Sequence, residues 1–179
     1  MMKKAILLTA NDFDEMEVFF PMFRLIEEGW QVDVAAPVLG EMHSETGYPL
    51  DPDLTIDQVD PDDYELLLLP GGSPDGAPAA VRDSIKAQAI VRSFFNRNKP
   101  VASICHGPWT LAAADVIRGR RLTSYWHDGV RGDIKEAGGI WEDQAVVVDG
   151  NLITSRYQLD LPDFMREVIK LVTDVPDTH

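Results

Sequence analysis

The 179-residue chain has 16 basic and 30 acidic residues, a formal net charge of −14, and 45% hydrophobic residues. This length and composition predict one globular domain over residues 1–173 with a frayed polar tail at 174–179. The negative charge argues against nucleic acid or an anionic membrane surface as a partner. Cys105 is the only cysteine, which excludes an internal disulfide, disfavours a structural zinc site and favours a reducing cytoplasm. We expect neither a metal nor another cofactor.

Apolar runs of strand length alternate with stretches of helical composition along the chain. Strands are predicted at residues 5–10, 30–36, 64–69, 100–104, 121–124, 145–148 and 152–153. Helices are predicted at residues 18–28, 78–98, 108–117, 129–137 and 161–172. This alternation with short connections predicts an α/β domain whose mainly parallel sheet lies between helices. Residues 38–61 are the least regular part and are expected to form an edge hairpin or an active-site rim.

The junction after strand 100–104 carries the strongest chemical signal. Ligands of open α/β sheets bind outside the carboxyl ends of the strands, and S-I-C-H-G at 103–107 stands at such an end. This small-x-nucleophile-x-small pattern resembles the elbow of α/β hydrolases, with Cys105 in the serine position. A cysteine at a helix N-terminus is expected to have a lowered thiol pKa. The alternative is that Cys105 is an ordinary buried apolar residue.

Two further junctions face the same edge of the predicted sheet. Pro70, Gly71 and Gly72 follow strand 64–69, and the backbone N–H groups of the two glycines are candidates for an oxyanion hole shared with the N–H of His106. The acidic segment N-D-F-D-E-M-E at 11–17 follows the first strand. Its carboxylates are either a solvated helix start or include one turned inward, with a raised pKa, that donates a hydrogen bond to a thiolate.

Five segments together resemble one known family. They are T-A-N-D-F-D-E-M-E at 9–17, L-P-G-G at 69–72, K-P-V-A-S-I-C-H-G-P at 99–108, G-R-R-L-T-S-Y at 119–125 and V-V-V-D-G-N-L-I-T-S-R at 146–156. In these segments the chain resembles the DJ-1/PfpI superfamily, specifically its PfpI-like intracellular protease branch. The resemblance implies a flavodoxin-like three-layer α/β sandwich.

The resemblance also implies roles for individual residues. Cys105 would be the elbow nucleophile, His106 the general base, Glu17 the buried glutamate beside the cysteine, and Tyr125 a pocket tyrosine. In protease-like members, an acidic residue after the Gly-Gly turn reaches across a subunit interface to orient the histidine. Here that segment is longer, and the acidic position falls on Asp75 or, in another alignment, on Ala79; we favour Asp75 because it is the only acid in the loop.

Three functions agree with this reading. The leading hypothesis is a PfpI-like cysteine hydrolase of the intracellular peptidase type, with Cys105 as nucleophile. The nearest alternative is a glyoxalase or deglycase that acts on methylglyoxal or its protein adducts with the same cysteine. A different class is a non-catalytic redox sensor or stress chaperone. The expected partners are a peptide or small aldehyde substrate and further copies of the chain, in a homodimer or hexamer whose active sites are shared between subunits.

Overall fold

The computed structural model describes residues 2–174. Of the tail predicted at 174–179, Asp174 instead ends the last helix, and residues 175–179 lie outside the described residues. The strands are β1 (Lys4–Leu8), β2 (Gln31–Ala36), β3 (Met42–His43), β4 (Pro49–Leu50), β5 (Leu54–Thr55), β6 (Leu66–Leu69), β7 (Val101–Ile104), β8 (Arg121–Leu122), β9 (Ile140–Trp141), β10 (Val146–Asp149) and β11 (Leu152–Ser155). The α-helices are α1 (Glu15–Glu27), α2 (Ala77–Arg82), α3 (Ile85–Asn96), α4 (Pro108–Ala113), α5 (Val130–Glu136) and α6 (Leu161–Asp174).

A seven-stranded sheet in the order β10-β11-β7-β6-β1-β2-β5 forms the centre of the fold. Its strands pair in parallel except for the antiparallel pair of β10 and β11. The four leucines of β6 are all buried, as expected for a strand covered on both faces. The structure therefore confirms the predicted flavodoxin-like α/β fold.

Two hydrophobic cores cover the two faces of this sheet. On one face, α1 and α6 contribute side chains such as Leu25 and Phe164. On the other face, α3, α4 and α5 contribute Phe94, Leu111 and Ile134. Because both faces are covered, polar chemistry is confined to the strand ends, and the carboxyl ends of β1, β6 and β7 meet at one edge. None of the helices within residues 2–174 is long and apolar enough to cross a membrane.

The stretch predicted as one helix at 78–98 is divided into α2 and α3. The division lies at Asp83 and Ser84. The Ser84 hydroxyl accepts a hydrogen bond from the Ala87 backbone N–H at 3.1 Å, which is the usual way a serine begins a new helix. Helical composition alone did not reveal this restart, because serine also occurs within helices.

Replacing Ser84 with alanine is expected to lower the free energy of unfolding by about 1 kcal/mol, because the N-terminal amides of α3 lose their side-chain acceptor. Urea denaturation of the variant measures this change. Ser93→Ala, within the same helix, is the matched control and should cost less. Equal stability of Ser84→Ala and the wild type would contradict a capping role.

The irregular residues 38–61 contain both an edge strand and a hairpin. β5 extends the main sheet beside β2, and β3 and β4 form a separate antiparallel pair. This hairpin contacts the segment after β1, because the Asp12 N–H donates to the His43 carbonyl at 2.8 Å and the His43 N–H donates to the Asn11 side chain at 2.8 Å. The hairpin thereby supports the loop that leads into α1.

Candidate active site

Cys105 occupies a strained elbow between β7 and α4. Its φ of +61° lies in the left-handed region, which costs a non-glycine residue about 1–3 kcal/mol. The conformation is held from both sides: the Cys105 N–H donates to the Ser155 carbonyl at 3.1 Å, and the Cys105 carbonyl accepts from the Tyr125 N–H at 2.9 Å. Backbone strain maintained in this way is typical of functional sites.

Gly107 allows the chain after the elbow to pass close to β6. A Cβ atom added to Gly107 would lie 2.0 Å from the Leu69 carbonyl oxygen and 2.6 Å from the Ser103 hydroxyl. Both neighbours are buried and held by the sheet, so no other residue fits here without a shift. This glycine explains the small residue that the elbow pattern requires two positions after the nucleophile.

Glu17 points inward from the first turn of α1 and is only 1% exposed. Its Oε2 accepts a hydrogen bond from the Gly71 N–H at 2.7 Å, whereas its Oε1 has no hydrogen-bond partner within residues 2–174. Burial, followed by the nearby negative charge of Asp14, raises the pKa of Glu17 well above its ordinary value. This environment favours the protonated form of the Glu17 carboxyl.

The Cys105 thiol interacts with this carboxyl group. Burial raises the pKa of Cys105, and negative charge on Glu17 raises it further. This direction is opposite to the lowered pKa expected from the helix N-terminus alone, because the sequence argument did not include desolvation. When Glu17 holds the proton, the opposing charge is absent and the carboxyl can donate a hydrogen bond to sulfur. The first proton lost therefore leaves one negative charge shared by the pair.

His106 lies between the thiol and a carboxylate that the sequence analysis did not single out. Its Nδ1 is 3.2 Å from Cys105 Sγ, and its Nε2 is 3.2 Å from Asp128 Oδ2. The side chain is buried, with the residue 4% exposed. Burial lowers the pKa of His106, and Asp128 partly opposes that shift. A histidine held neutral beside a thiol can accept the thiol proton.

The three backbone N–H groups predicted to form the oxyanion hole differ in whether they already donate a hydrogen bond. The Gly71 N–H donates to Glu17, so the expectation that Gly71 supplies an oxyanion donor is corrected. Within the described chain, neither the Gly72 nor the His106 N–H donates to a backbone carbonyl, and the His106 N–H lies against the Cys105 sulfur, where it lowers the pKa of the thiol. The backbone at Gly72 (φ +152°) runs so close to the segment after β1 that an added Cβ would lie 2.3 Å from the Asp12 carbonyl oxygen.

Tyr125 and Asp75, both predicted as site residues, lie in different places. The Tyr125 ring packs beside His106, with ring centroids 4.9 Å apart. Asp75 lines a separate cavity of about 410 Å³ with Asp12 and Glu41, and it makes no hydrogen bond or ion pair with His106 of its own chain. The hypothesis that Asp75 contacts and orients the His106 side chain of a partner subunit stays a prediction. Within residues 2–174, no group of three or more His, Cys, Asp or Glu side chains is placed to hold a metal ion.

A family model described as the DJ-1/PfpI family matches residues 3–171. The chain belongs to the DJ-1/PfpI family. It is 46% identical over 169 residues to "Deglycase PfpI" of Pyrococcus furiosus, covering 94% of this chain and 99% of that protein. It is 37% identical over 177 residues to "Protein/nucleic acid deglycase 2" of Escherichia coli, covering 96% of this chain and 99% of that protein. These relatives show that the chain is an enzyme.

Solved structures of DJ-1/PfpI proteins share the whole fold. Drosophila melanogaster DJ-1beta aligns with a TM-score of 0.82 and 29% identity, over 96% of this chain and 90% of that one. A two-domain protein of Anabaena variabilis, which contains DJ-1/ThiJ/PfpI-like and ferritin-like domains, aligns with a TM-score of 0.90 and 28% identity. The match covers 99% of this chain and 52% of the longer one. The central sheet described above is thus the family's sheet.

Asp128 is the site residue of this DJ-1/PfpI chain that the sequence analysis missed. It follows Tyr125 closely and precedes Gly129, in the H-D-G segment at 127–129. An Asp-Gly pair between a strand and a helix is a turn signal, so the pattern predicts only that a helix begins near Gly129. An acid in a turn three residues after a predicted pocket residue was the available clue.

Proposed function

We propose that this chain is a cysteine-dependent enzyme that acts on 2-oxoaldehydes such as methylglyoxal, or on their protein adducts. The observation that supports this most directly is the buried pair of Cys105 and Glu17, in which burial raises the pKa of the carboxyl beside the thiol. Several relatives with 44–46% identity bear the name deglycase, which supports the same reaction class.

The pair supplies what aldehyde chemistry requires. His106 Nδ1 accepts the thiol proton, and Cys105 Sγ forms a bond to the aldehyde carbon while the C=O electrons move to oxygen. We assign the stabilisation of that oxygen to the N–H groups of Gly72 and His106. In a hemiaminal adduct the former aldehyde carbon is already saturated, so Cys105 Sγ displaces the amine or guanidine: the C–N bond breaks, the leaving nitrogen takes up a proton, and the same hemithioacetal results.

Proton transfer completes the reaction without any oxidant. A proton leaves the former aldehyde carbon and a proton returns to the neighbouring carbon, with Glu17 and His106 as the carriers. The product is a thioester of lactate on Cys105. Water then cleaves the thioester, so that methylglyoxal and water give lactate and the thiol is restored. Each atom of the product comes from the substrate or water.

Peptide hydrolysis is the second candidate, and the contact between Cys105 Sγ and His106 Nδ1 favours it, since cysteine peptidases use such a pair. The depth of the thiol favours the aldehyde instead. Cys105 is 7% exposed, and a small terminal carbonyl reaches a buried sulfur more easily than an internal peptide bond does. We therefore rank aldehyde chemistry above peptide hydrolysis.

Incubating the protein with methylglyoxal, with a methylglyoxal adduct of N-acetylarginine and with a fluorogenic peptide tests the proposal. We expect lactate to form in many-fold excess over enzyme, with free N-acetylarginine from the adduct, and little peptide cleavage. Peptide turnover without lactate would replace this proposal with the peptidase. Oxidation of Cys105 by peroxide, with no turnover of any substrate, would instead favour the redox sensor.

A further inference from the structure

We propose that Asp128 is the residue that positions His106, so that the Cys105-His106-Asp128 arrangement is complete within one chain. The reaction it would assist is the proposed function above, but the orientation of His106 can be measured without substrate. Asp128 Oδ2 lies 3.2 Å from Nε2, and Cys105 Sγ lies 3.2 Å from Nδ1. The two contacts use the two nitrogens of one imidazole ring.

The turn that carries Asp128 is fixed at both ends. At its start, the Tyr125 N–H donates to the Cys105 carbonyl, and at its end Val130 is fully buried as the first residue of α5. Between them, Asp128 and Gly129 have φ values of +58° and +84°. Asp, Asn and Gly tolerate this left-handed region best. The fold therefore presents the carboxylate from a defined turn, even though its side chain is 47% exposed.

The contact determines which nitrogen of His106 holds the proton. A carboxylate accepts hydrogen bonds, so it stabilises the imidazole with the proton on Nε2 and leaves the Nδ1 lone pair facing Cys105 Sγ. Without an acceptor at Nε2, both proton positions are populated. The form with the proton on Nδ1 cannot accept the thiol proton, so Asp128 acts through His106.

Other acids near the elbow are engaged elsewhere. The Asp133 carboxylate accepts from Trp109 Nε1 at 2.5 Å, and Asp75 lines a different cavity. Four groups contact the His106 ring: the Cys105 thiol, the Asp128 carboxylate, and the rings of Tyr125 and Trp109. Each of three of them has a charged or titratable neighbour: Glu17 beside Cys105, His127 beside Tyr125, and the Arg82 guanidinium over the Trp109 ring. Of these, Asp128 is the anion in contact with the imidazole.

Three variants test this role. Asp128→Asn removes the negative charge, Asp128→Gly removes the whole acceptor, and both residues tolerate the left-handed turn. Asp115→Asn, at another exposed aspartate in the left-handed region, is the matched control. The readouts are kcat, KM, the pH profile of kcat/KM, and NMR of ¹⁵N-histidine-labelled protein, in which the signals of His106 are identified among the four histidines with a His106→Gln variant.

Both Asp128 variants should lower kcat at least about tenfold, since a positioned base contributes about 10²–10⁴-fold, while KM changes little. The pKa of His106 measured by NMR should fall, because Asp128 is the group that raises it against burial, and the acidic limb of the pH profile should move to lower pH. Asp115→Asn should match the wild type. Unchanged NMR titration and kcat in Asp128→Gly would overturn the inference. Absence of lactate from the wild type, with the NMR shift intact, would reject the proposed function alone.

Mixing subunits distinguishes a site within one chain from a shared site. Cys105→Ala and Asp128→Gly proteins are dissociated, combined and reassembled, with exchange confirmed by mass spectrometry of differently labelled chains. A site within one chain predicts activity no greater than the sum of the separate proteins. Recovery of about a quarter of wild-type activity, as expected for random dimers with one complete shared site in each mixed pair, would overturn the inference.

Discussion

Cys105→Ser should lose lactate formation by at least about a hundredfold while its fold stays intact. The oxygen of serine has nearly the same position and smaller volume, so the elbow hydrogen bonds to Ser155 and Tyr125 can persist. A hydroxyl in a buried site, however, is a far weaker acid than a thiol, so His106 cannot convert it to a comparable nucleophile. Steady-state assays with methylglyoxal measure the loss.

Thermal unfolding of Cys105→Ser is the control for that experiment. Its midpoint should remain close to that of the wild type, since one atom changes and no cavity of methyl size is created. An active serine variant would show that the sulfur is dispensable and would refute nucleophilic catalysis by Cys105.

The Glu17→Gln protein should have a higher free energy of unfolding than the glutamate form, and this difference should grow as the pH rises. The native pKa of Glu17 is raised by burial, so between its ordinary value of 4.5 and the native value the unfolded chain releases a proton that the folded chain retains. Over that window the free energy of unfolding falls by about 1.4 kcal/mol per pH unit. Glutamine has no such proton and avoids the loss.

This prediction is measured by urea denaturation from pH 5 to pH 8 in a Cys105→Ala background, where only the carboxyl of the pair titrates. Glu136→Gln, the same change at an exposed position, is the control and should leave the slope unchanged. Parallel curves for Glu17→Gln and its parent would mean that Glu17 is ionised in the folded protein and is not a proton carrier.

The fold was predictable from local sequence because its strands are buried on both faces. The uninterrupted leucines of β6 and the elbow residues around Cys105 identify a parallel α/β sheet and the edge where its chemistry lies. Several elements departed from prediction, among them the helix predicted at 108–117, which ends at Ala113. The helix break at Ser84 depends on a cap, and β8 is shorter than predicted and pairs with β9 outside the main sheet.

The site was predictable only in part, because some of it depends on geometry that no local pattern specifies. Cys105, His106 and Glu17 follow strand ends or begin a helix, and the structure brings their side chains together. The approach of Asp128 to His106 requires a left-handed turn anchored by Tyr125, which the sequence marks only as an Asp-Gly pair. The raised pKa of Cys105 also could not be predicted, because it results from the burial of the whole site.

The most direct test of the account uses the fact that the chain has one cysteine. Wild-type protein is treated with increasing amounts of iodoacetamide, the alkylated fraction is measured by intact mass, and lactate formation from methylglyoxal is measured on the same samples. Nucleophilic catalysis by Cys105 predicts that activity falls in proportion to alkylation and reaches zero at one added group per chain. Full activity in completely alkylated protein would contradict it.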